Sequence, residues 1–395
     1  MVPASCLKVV TTAAALHLLG PESRFQTHLA YDGVVQNGVL KGNLYIIGGG
    51  DPCLGSDRIA GSLSWEKQVE AWALAVQNFG ISQIEGKVIG DASNWETALA
   101  APGWTWEDLG NYYGAGASAL SFHENMYFLY LKPSSETGEG VSILKMDPNI
   151  SGLVLKNEVL TGPEGSGDRA CIYGSEFSHE QYIRGTIPAG VSEFSIKGTI
   201  PDPGFFCAGL LSELLKQKGV QVLEQTVPVR EKKVFYTTNS PTVAEIVHLI
   251  NQKSINLYAE HLLKKMGEVS EGEGSTKAGV RAVQKFLQKK GVDSSGMSLE
   301  DGSGLSRKNL ITAQQLVAIL IQMKNSKLFP VFFESLPEER KGIRAKSGSM
   351  SLIKGYVGYS NDIAFAILIN QCTNSKFIKE KLDNFFYNIS NKKIK

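Results

Sequence analysis

The sequence predicts an α/β (α+β) protein, and three observations carry that prediction. The chain opens on a helical run from Pro3-Ala4-Ser5-Cys6-Leu7-Lys8 through an Ala- and Leu-rich stretch to a stop at Gly20-Pro21. Its middle is dominated by short strands and turns. From Val234 onward helices and strands alternate. A length of 395 residues calls for two or three domains.

Composition narrows the function. Hydrophobic residues make up 43% and charged residues 20% of the chain, an ordinary globular balance. A formal net charge of +1 gives no large field to recruit nucleic acid or an anionic membrane. The basic end, Asn391-Lys392-Lys393-Ile394-Lys395, reads as a solvated tail. The five cysteines, Cys6, Cys53, Cys171, Cys207 and Cys372, are scattered and show no Cys-x-x-Cys pair. The six histidines form no ligand cluster. Neither a metal nor a cofactor is expected. No apolar run has the length of a membrane span, and no export signal is read ahead of Ser5.

The elements follow in order. Ala, Leu and Lys favour the first helix, Pro3 suits its start and Gly20-Pro21 its end. Asp32-Gly33 and Asn37-Gly38 mark hairpins. Leu44-Tyr45-Ile46-Ile47 is a short strand ending in Gly48-Gly49-Gly50-Asp51-Pro52. That turn lacks the Gly-Lys-Ser/Thr of a phosphate loop. A helix is expected over 65–79, a strand over 84–89, a Trp- and Gly-rich loop over 104–116 and an aromatic strand over 126–131. Trp104 and Trp106 suit sugar stacking, although packing beneath a loop is the commoner use. A polar linker covers 132–140 and a helix 205–217. Next comes a helix from Pro241 to about Gln252, interrupted by Lys253-Ser254-Ile255-Asn256 and resumed to Met266, with Gly267 as its stop. Further helices are expected over 277–290, 312–323 and 378–389, and strands over 343–350, 355–360 and 363–370.

Three short motifs carry chemistry. On a helix, Ser5 and Lys8 share a face, which sets an amine beside a hydroxyl. A serine attacks a carbonyl only when a base takes its proton. A lysine at its ordinary pKa is only roughly 0.04% neutral at pH 7, so burial and a second cation must lower that pKa. Alone the pair is a common accident of sequence. In company with Ser254-Ile255-Asn256 and Lys346-Ser347-Gly348 it is not. Ser254 suits proton relay to a leaving amine, and Asn256 suits holding a substrate amide. Lys346 supplies the second cation and a partner for a substrate carboxylate. Gly348 admits substrate backbone to the strand edge. The backbone N–H groups of Ser5 and Ser349 suit an oxyanion hole.

With these motifs the chain resembles the class C low-molecular-mass penicillin-binding proteins, the D-alanyl-D-alanine carboxypeptidase/endopeptidase family. The resemblance also rests on Leu19-Gly20-Pro21, Arg24-Phe25, Gly49-Gly50-Asp51-Pro52, Ala259-Glu260 and Asp301-Gly302-Ser303-Gly304-Leu305-Ser306-Arg307. It implies a penicillin-binding-protein/β-lactamase-like transpeptidase domain built from 1–28 and 233–395. The long separation of Ser5 from Ser254 then holds large β-rich insertions, one over 29–53 and 139–232 and another nested at 54–138. It implies peptidoglycan stem peptides and cross-links as substrates, β-lactams as inhibitors, Ser5, Lys8 and Ser254 as catalytic residues, and an extracytoplasmic location. Asn256, Lys346, Ser347, Gly348 and Ser349 would bind substrate, with Arg307 and Met350 lining a side-chain pocket.

Three departures are visible. Ser347 replaces the family's usual threonine and keeps the hydroxyl. His123 stands where some relatives carry an acidic residue touching a diamino-acid side chain, which leaves the side-chain preference open. The segment that precedes the serine motif in the family is missing, so an N-terminally shortened chain is expected, with sheet partners lacking for the last strands. Two alternatives compete. A β-lactamase needs a deacylating base for which the sequence offers no candidate, and the intact trio argues against a silent cell-wall binding protein.

Overall fold

A computed structural model describes residues 1–391; Lys392 to Lys395, most of the expected basic tail, lie outside the described residues. The chain divides into two compact units, Met1–Ser23 with Ala101–Gly103 and Thr242–Lys395, and Arg24–Ala100 with Trp104–Pro241.

The first unit is assembled from both ends of the sequence. Its centre is the helix Lys8–Leu18, buried from Lys8 through Leu16 and packed against the helices Val243–Lys253, Asn256–Glu271 and Thr276–Lys289. A helix enclosed on all sides can be apolar all round, which is why its Val-, Ala- and Leu-rich sequence shows no polar face. It ends at Leu18, and Gly20 at φ +87° turns the chain away. Beside it lies an antiparallel sheet of Glu338–Arg340, Ile343–Met350, Ile353–Ser360 and Ile363–Ile369, in that order. The C-terminal helix Ser375–Asn391 packs Ile378, Leu382 and Phe386 onto Ile343, Ala345 and Phe365 of the sheet.

Two readings of this unit need correction. Gly267 does not end its helix, which continues to Glu271 with Gly272 in the left-handed region at φ +75°. A Cβ at Gly267 would stand 2.6 Å from the Gly279 nitrogen, so this glycine serves close helix packing. A short helix, Phe329–Ser335, was not expected; its run of aromatics hides the helical period.

The second unit is β-rich, as the texture of the middle predicts. Strands Arg24–Tyr31, Leu44–Ile47, Val88–Asp91 and Lys233–Thr242 form one sheet, and the other described strands of this unit form three more. The hairpin joining Val34–Gln36 to Val39–Lys41 turns on Asn37 and Gly38, both at positive φ, as a two-residue Asn-Gly loop requires. The helix Trp65–Asn78 buries Trp72 completely, and the Trp72 indole donates to Thr238 Oγ1 at 2.9 Å. The strand expected over 84–89 is two strands, Gln83–Ile84 and Val88–Asp91. They part at Gly86, where a Cβ would stand 2.5 Å from the Gly42 carbonyl. The expected loop over 104–116 contains one helical turn, Trp106–Leu109, and Trp106 packs on Tyr173 at 4.9 Å between ring centroids. His123, Glu124 and Asn125 run consecutively through the left-handed region.

Candidate active site

Ser5 and Lys8 meet through a tighter turn than the expected α-helix. Ala4–Leu7 is a 3₁₀ turn, and the α-helix begins only at Lys8. In a 3₁₀ turn residues three apart eclipse one another, so the two side chains are stacked closely. The Lys8 Nζ lies 3.0 Å from Ser5 Oγ. Ala4, immediately before the serine, sits at φ +47°, a strained conformation for a residue with a Cβ. Gly304 presses on it, because a Cβ there would stand 1.9 Å from the Ala4 carbonyl.

Ser254 and Asn256 arrive on a break between helices. Val243–Lys253 ends with Ser254 in the left-handed region at φ +58°, and Asn256 opens the next helix. That kink lets Asn256 Oδ1 reach Lys8 Nζ at 2.6 Å. The third acceptor of the amine is the Ser303 carbonyl at 2.7 Å, in the glycine-rich loop.

Lys346 comes from the strand Ile343–Met350, whose backbone runs against the serine turn. Its carbonyl accepts from the Cys6 thiol at 3.7 Å, and its own Nζ donates to the Ser347 carbonyl at 2.6 Å. Gly348 and Gly355 pair across the sheet and make room for Cys6. A Cβ at Gly348 would stand 2.7 Å from the Pro3 carbonyl and 2.9 Å from the Cys6 nitrogen. The serine turn itself therefore needs glycine at 348, a reason that adds to the substrate approach expected from sequence.

The loop Asp301–Arg307 is held by buried carboxylates. Asp301 accepts from the Gly304 and Ser306 N–H groups at 2.8 and 2.6 Å and from Asn309 Nδ2 at 2.7 Å. Glu260 accepts from the Gly302 and Ser303 N–H groups. Thr11 Oγ1 donates to the Gly302 carbonyl at 2.6 Å.

Electrostatics then set the state of the amine. Burial, and secondarily the Lys346 ammonium, bring the Lys8 pKa down to about 7, against the opposing pull of Asp301, Glu260 and Cys6. Roughly half of such amines are neutral at pH 7. Burial likewise brings Lys346 down to about 8, while Cys6 and Glu339 pull it up. Burial pushes the Cys6 thiol up to about 12, so this cysteine is packing rather than a competing nucleophile.

The sequence profile of the D-Ala-D-Ala carboxypeptidase 3 (S13) family matches residues 1–388. The chain belongs to that family. Among curated relatives, a D-alanyl-D-alanine carboxypeptidase of Actinomadura sp. strain R39 is 29% identical over 94% of this chain and 73% of its own length. D-alanyl-D-alanine carboxypeptidase DacB of Haemophilus influenzae is 24% identical over 94% of this chain and 80% of its own length. The crystal structure of penicillin-binding protein 4 (DacB) from Haemophilus influenzae superposes with a TM-score of 0.84 at 22% identity, covering 99% of this chain and 92% of that one. The expected penicillin-binding-protein-like fold with β-rich additions is borne out, as is the assignment to serine-type D-alanyl-D-alanine carboxypeptidases.

Within this S13 chain the predicted residues are distributed unevenly. Ser5, Lys8 and Asn256 are joined by hydrogen bonds, and Lys346 lies against the serine turn and acts on Lys8 through its charge. Arg307 and Ser349 are exposed, and Ser254, Ser347 and Met350 are half-buried. Glu260, Asp301, Thr11 and the Ser303 carbonyl contribute without a role assigned from sequence. A signal for Glu260 was present: it follows Asn256 by four positions on a helix, which puts both on one face. Among the described residues no helix is long and apolar enough to cross a membrane.

Proposed function

We propose that this chain cleaves the terminal D-Ala-D-Ala amide of peptidoglycan stem peptides, and D-Ala cross-links, through an acyl-enzyme on Ser5, outside the cytoplasm. The observation that carries the reading is the buried Lys8 amine 3.0 Å from the Ser5 hydroxyl. A neutral amine has two N–H bonds and one lone pair. Asn256 Oδ1 and the Ser303 carbonyl, the two nearer partners, can take both N–H bonds. The lone pair is then left facing Ser5 and accepts its proton as Oγ attacks the substrate carbonyl.

The remaining roles follow from chemistry. The N–H groups of Ser5 and Ser349 receive the oxyanion. Ser254 passes a proton to the departing D-alanine nitrogen, Asn256 orients the substrate amide, and Lys346 with Ser347 binds the terminal carboxylate. Arg307 and Met350 line the side-chain pocket, with Gly348 at the strand edge. The proton that Lys8 took from Ser5 replaces the one Ser254 gives up, so Lys8 is neutral again; water then attacks the ester, its proton passes to Lys8, and Lys8 hands it to Ser5 Oγ as the acyl–oxygen bond breaks. A β-lactam enters by the same attack and is retained as the ester. Penicillin-binding protein 4 (DacB) from Haemophilus influenzae has been crystallised in complex with a β-lactam. We propose further that the inserted unit subdivides into bodies at 29–53 with 139–232 and at 54–138.

The test is labelling with a fluorescent penicillin followed by digestion of purified muropeptides, monomeric and cross-linked, read by mass. The protein should label at one site and release D-alanine, and Ser5→Ala should do neither. Persistent labelling of Ser5→Ala would remove Ser5 as nucleophile.

A further inference from the structure

Behind the serine–lysine pair lies a second hydrogen-bonded layer that no step of the acyl transfer consumes. Glu260 is 1% exposed. Its two carboxylate oxygens accept the Gly302 N–H at 3.1 and 3.0 Å, and one of them accepts the Ser303 N–H at 2.7 Å. Both oxygens receive donors, which favours the ionised carboxylate against burial and the Asp301 charge, which push its pKa up to about 7. The carbonyl of that same Ser303 is an acceptor for Lys8, and the carbonyl of Gly302 is tied to Thr11. Contacts therefore run without a gap from Glu260, through the 302–303 backbone, to the amine and on to the Ser5 hydroxyl.

We propose that Glu260 is a positioning residue for acyl transfer: it locks the Gly302–Ser303 backbone so that the Ser303 carbonyl aims the Lys8 lone pair at Ser5, and its charge faces that amine. The inference rests on the acyl-transfer reading above. Should the loop relax, Ser303 no longer fixes one of the two N–H bonds, and the lone pair can rotate away from the hydroxyl. A misplacement of about 1 Å can lower a rate on the order of a hundredfold. Among the described residues, the charged or titratable groups that act on the amine are Lys346 from the strand, Cys6 from the serine turn, Asp301 from the loop and Glu260 from the helix, and of these Lys346 alone disfavours its protonated form. Glu260 carries its charge above about pH 7, and removing that charge makes the amine neutral at lower pH.

The experiment is the rate of penicillin acylation against pH for three folded proteins. Wild type gives the reference. Glu260→Gln keeps the shape but sets an NH₂ group against a backbone N–H. Its alkaline plateau should fall about ten- to a hundredfold and its acid limb should move to lower pH, with the non-covalent affinity for penicillin retained. Thr11→Val loosens the same loop without changing charge, so its plateau should fall while its acid limb stays in place. If wild type acylates and Glu260→Gln superimposes on it across the profile, the role of Glu260 is overturned and the acyl-transfer reading stands. If wild type is not acylated, that reading itself fails. Should Glu260→Gln not fold, a Thr11→Val profile superimposable on wild type overturns the proposal alone.

Discussion

At the scale of single residues, the site is a problem of protonation. Lys8 works as a base only when neutral, and its pKa of about 7 places that change in the neutral range. Acylation should rise about tenfold per pH unit below this value and level off above it. Lys346 works in the opposite sense, because it must be charged to hold a carboxylate. With its pKa near 8, substrate affinity should weaken as pH rises through that range. Stopped-flow acylation with a chromogenic cephalosporin separates the two, since the first effect sits in the rate constant and the second in binding. A rate constant flat across the neutral range would exclude Lys8 as base. Lys8→Arg is the sharper variant, because a guanidinium does not deprotonate. Its acylation should fall by roughly a hundredfold to ten-thousandfold. The pairing of Ser5 with Lys8 was legible because it needs only a local spacing. The second cation, Lys346, was legible through the ordered trio of motifs, but the opposing carboxylates of Asp301 and Glu260 were not, because no local pattern connects them to the pair.

At the scale of elements, two glycines decide whether the serine turn can form. Gly304 at φ +85° and Gly348 in its strand both leave the space that Pro3, Ala4 and Cys6 occupy. Gly304→Ala adds a Cβ at 1.9 Å from the Ala4 carbonyl in a backbone conformation that disfavours any Cβ. Overpacking and strain together should cost about 3 kcal/mol or more, with penicillin labelling lost. Gly272→Ala is the control: its φ is also positive, yet no atom lies within 4 Å of the added Cβ. It should cost about 1 kcal/mol and leave labelling unchanged. Equal melting temperatures for the two variants would show that the close approach is not what Gly304 serves. The same glycines mark where sequence reading reached its limit. Gly20 and Gly38 act through their own φ, which a dipeptide such as Gly-Pro or Asn-Gly announces. Gly267, Gly86 and Gly348 act through a neighbour distant in sequence, so the helix end placed at Gly267 and the single strand over 84–89 each mistook packing for local signal.

At the scale of the whole molecule, burying a lysine at the centre of the first unit has a thermodynamic consequence. Unfolded, Lys8 returns to a pKa of about 10.4; folded, it titrates near 7. Between those values the unfolded chain binds the additional proton, so stability rises with pH across that window. Below about pH 7 both states are protonated and the cost of the buried charge is present in full, on the order of a few kcal/mol. Lys8→Met removes the titration. It also leaves the Ser303 carbonyl and Asn256 Oδ1 without their amine, a penalty of about 1–3 kcal/mol for each acceptor left unpaired that scarcely changes with pH. The absolute order of the two proteins is therefore less informative than their slopes. Urea unfolding of the first unit should show wild type gaining stability from neutral to alkaline pH relative to Lys8→Met. Parallel pH dependences would mean that Lys8 is already charged in the folded protein at alkaline pH, and the buried amine could not then be the base that activates Ser5.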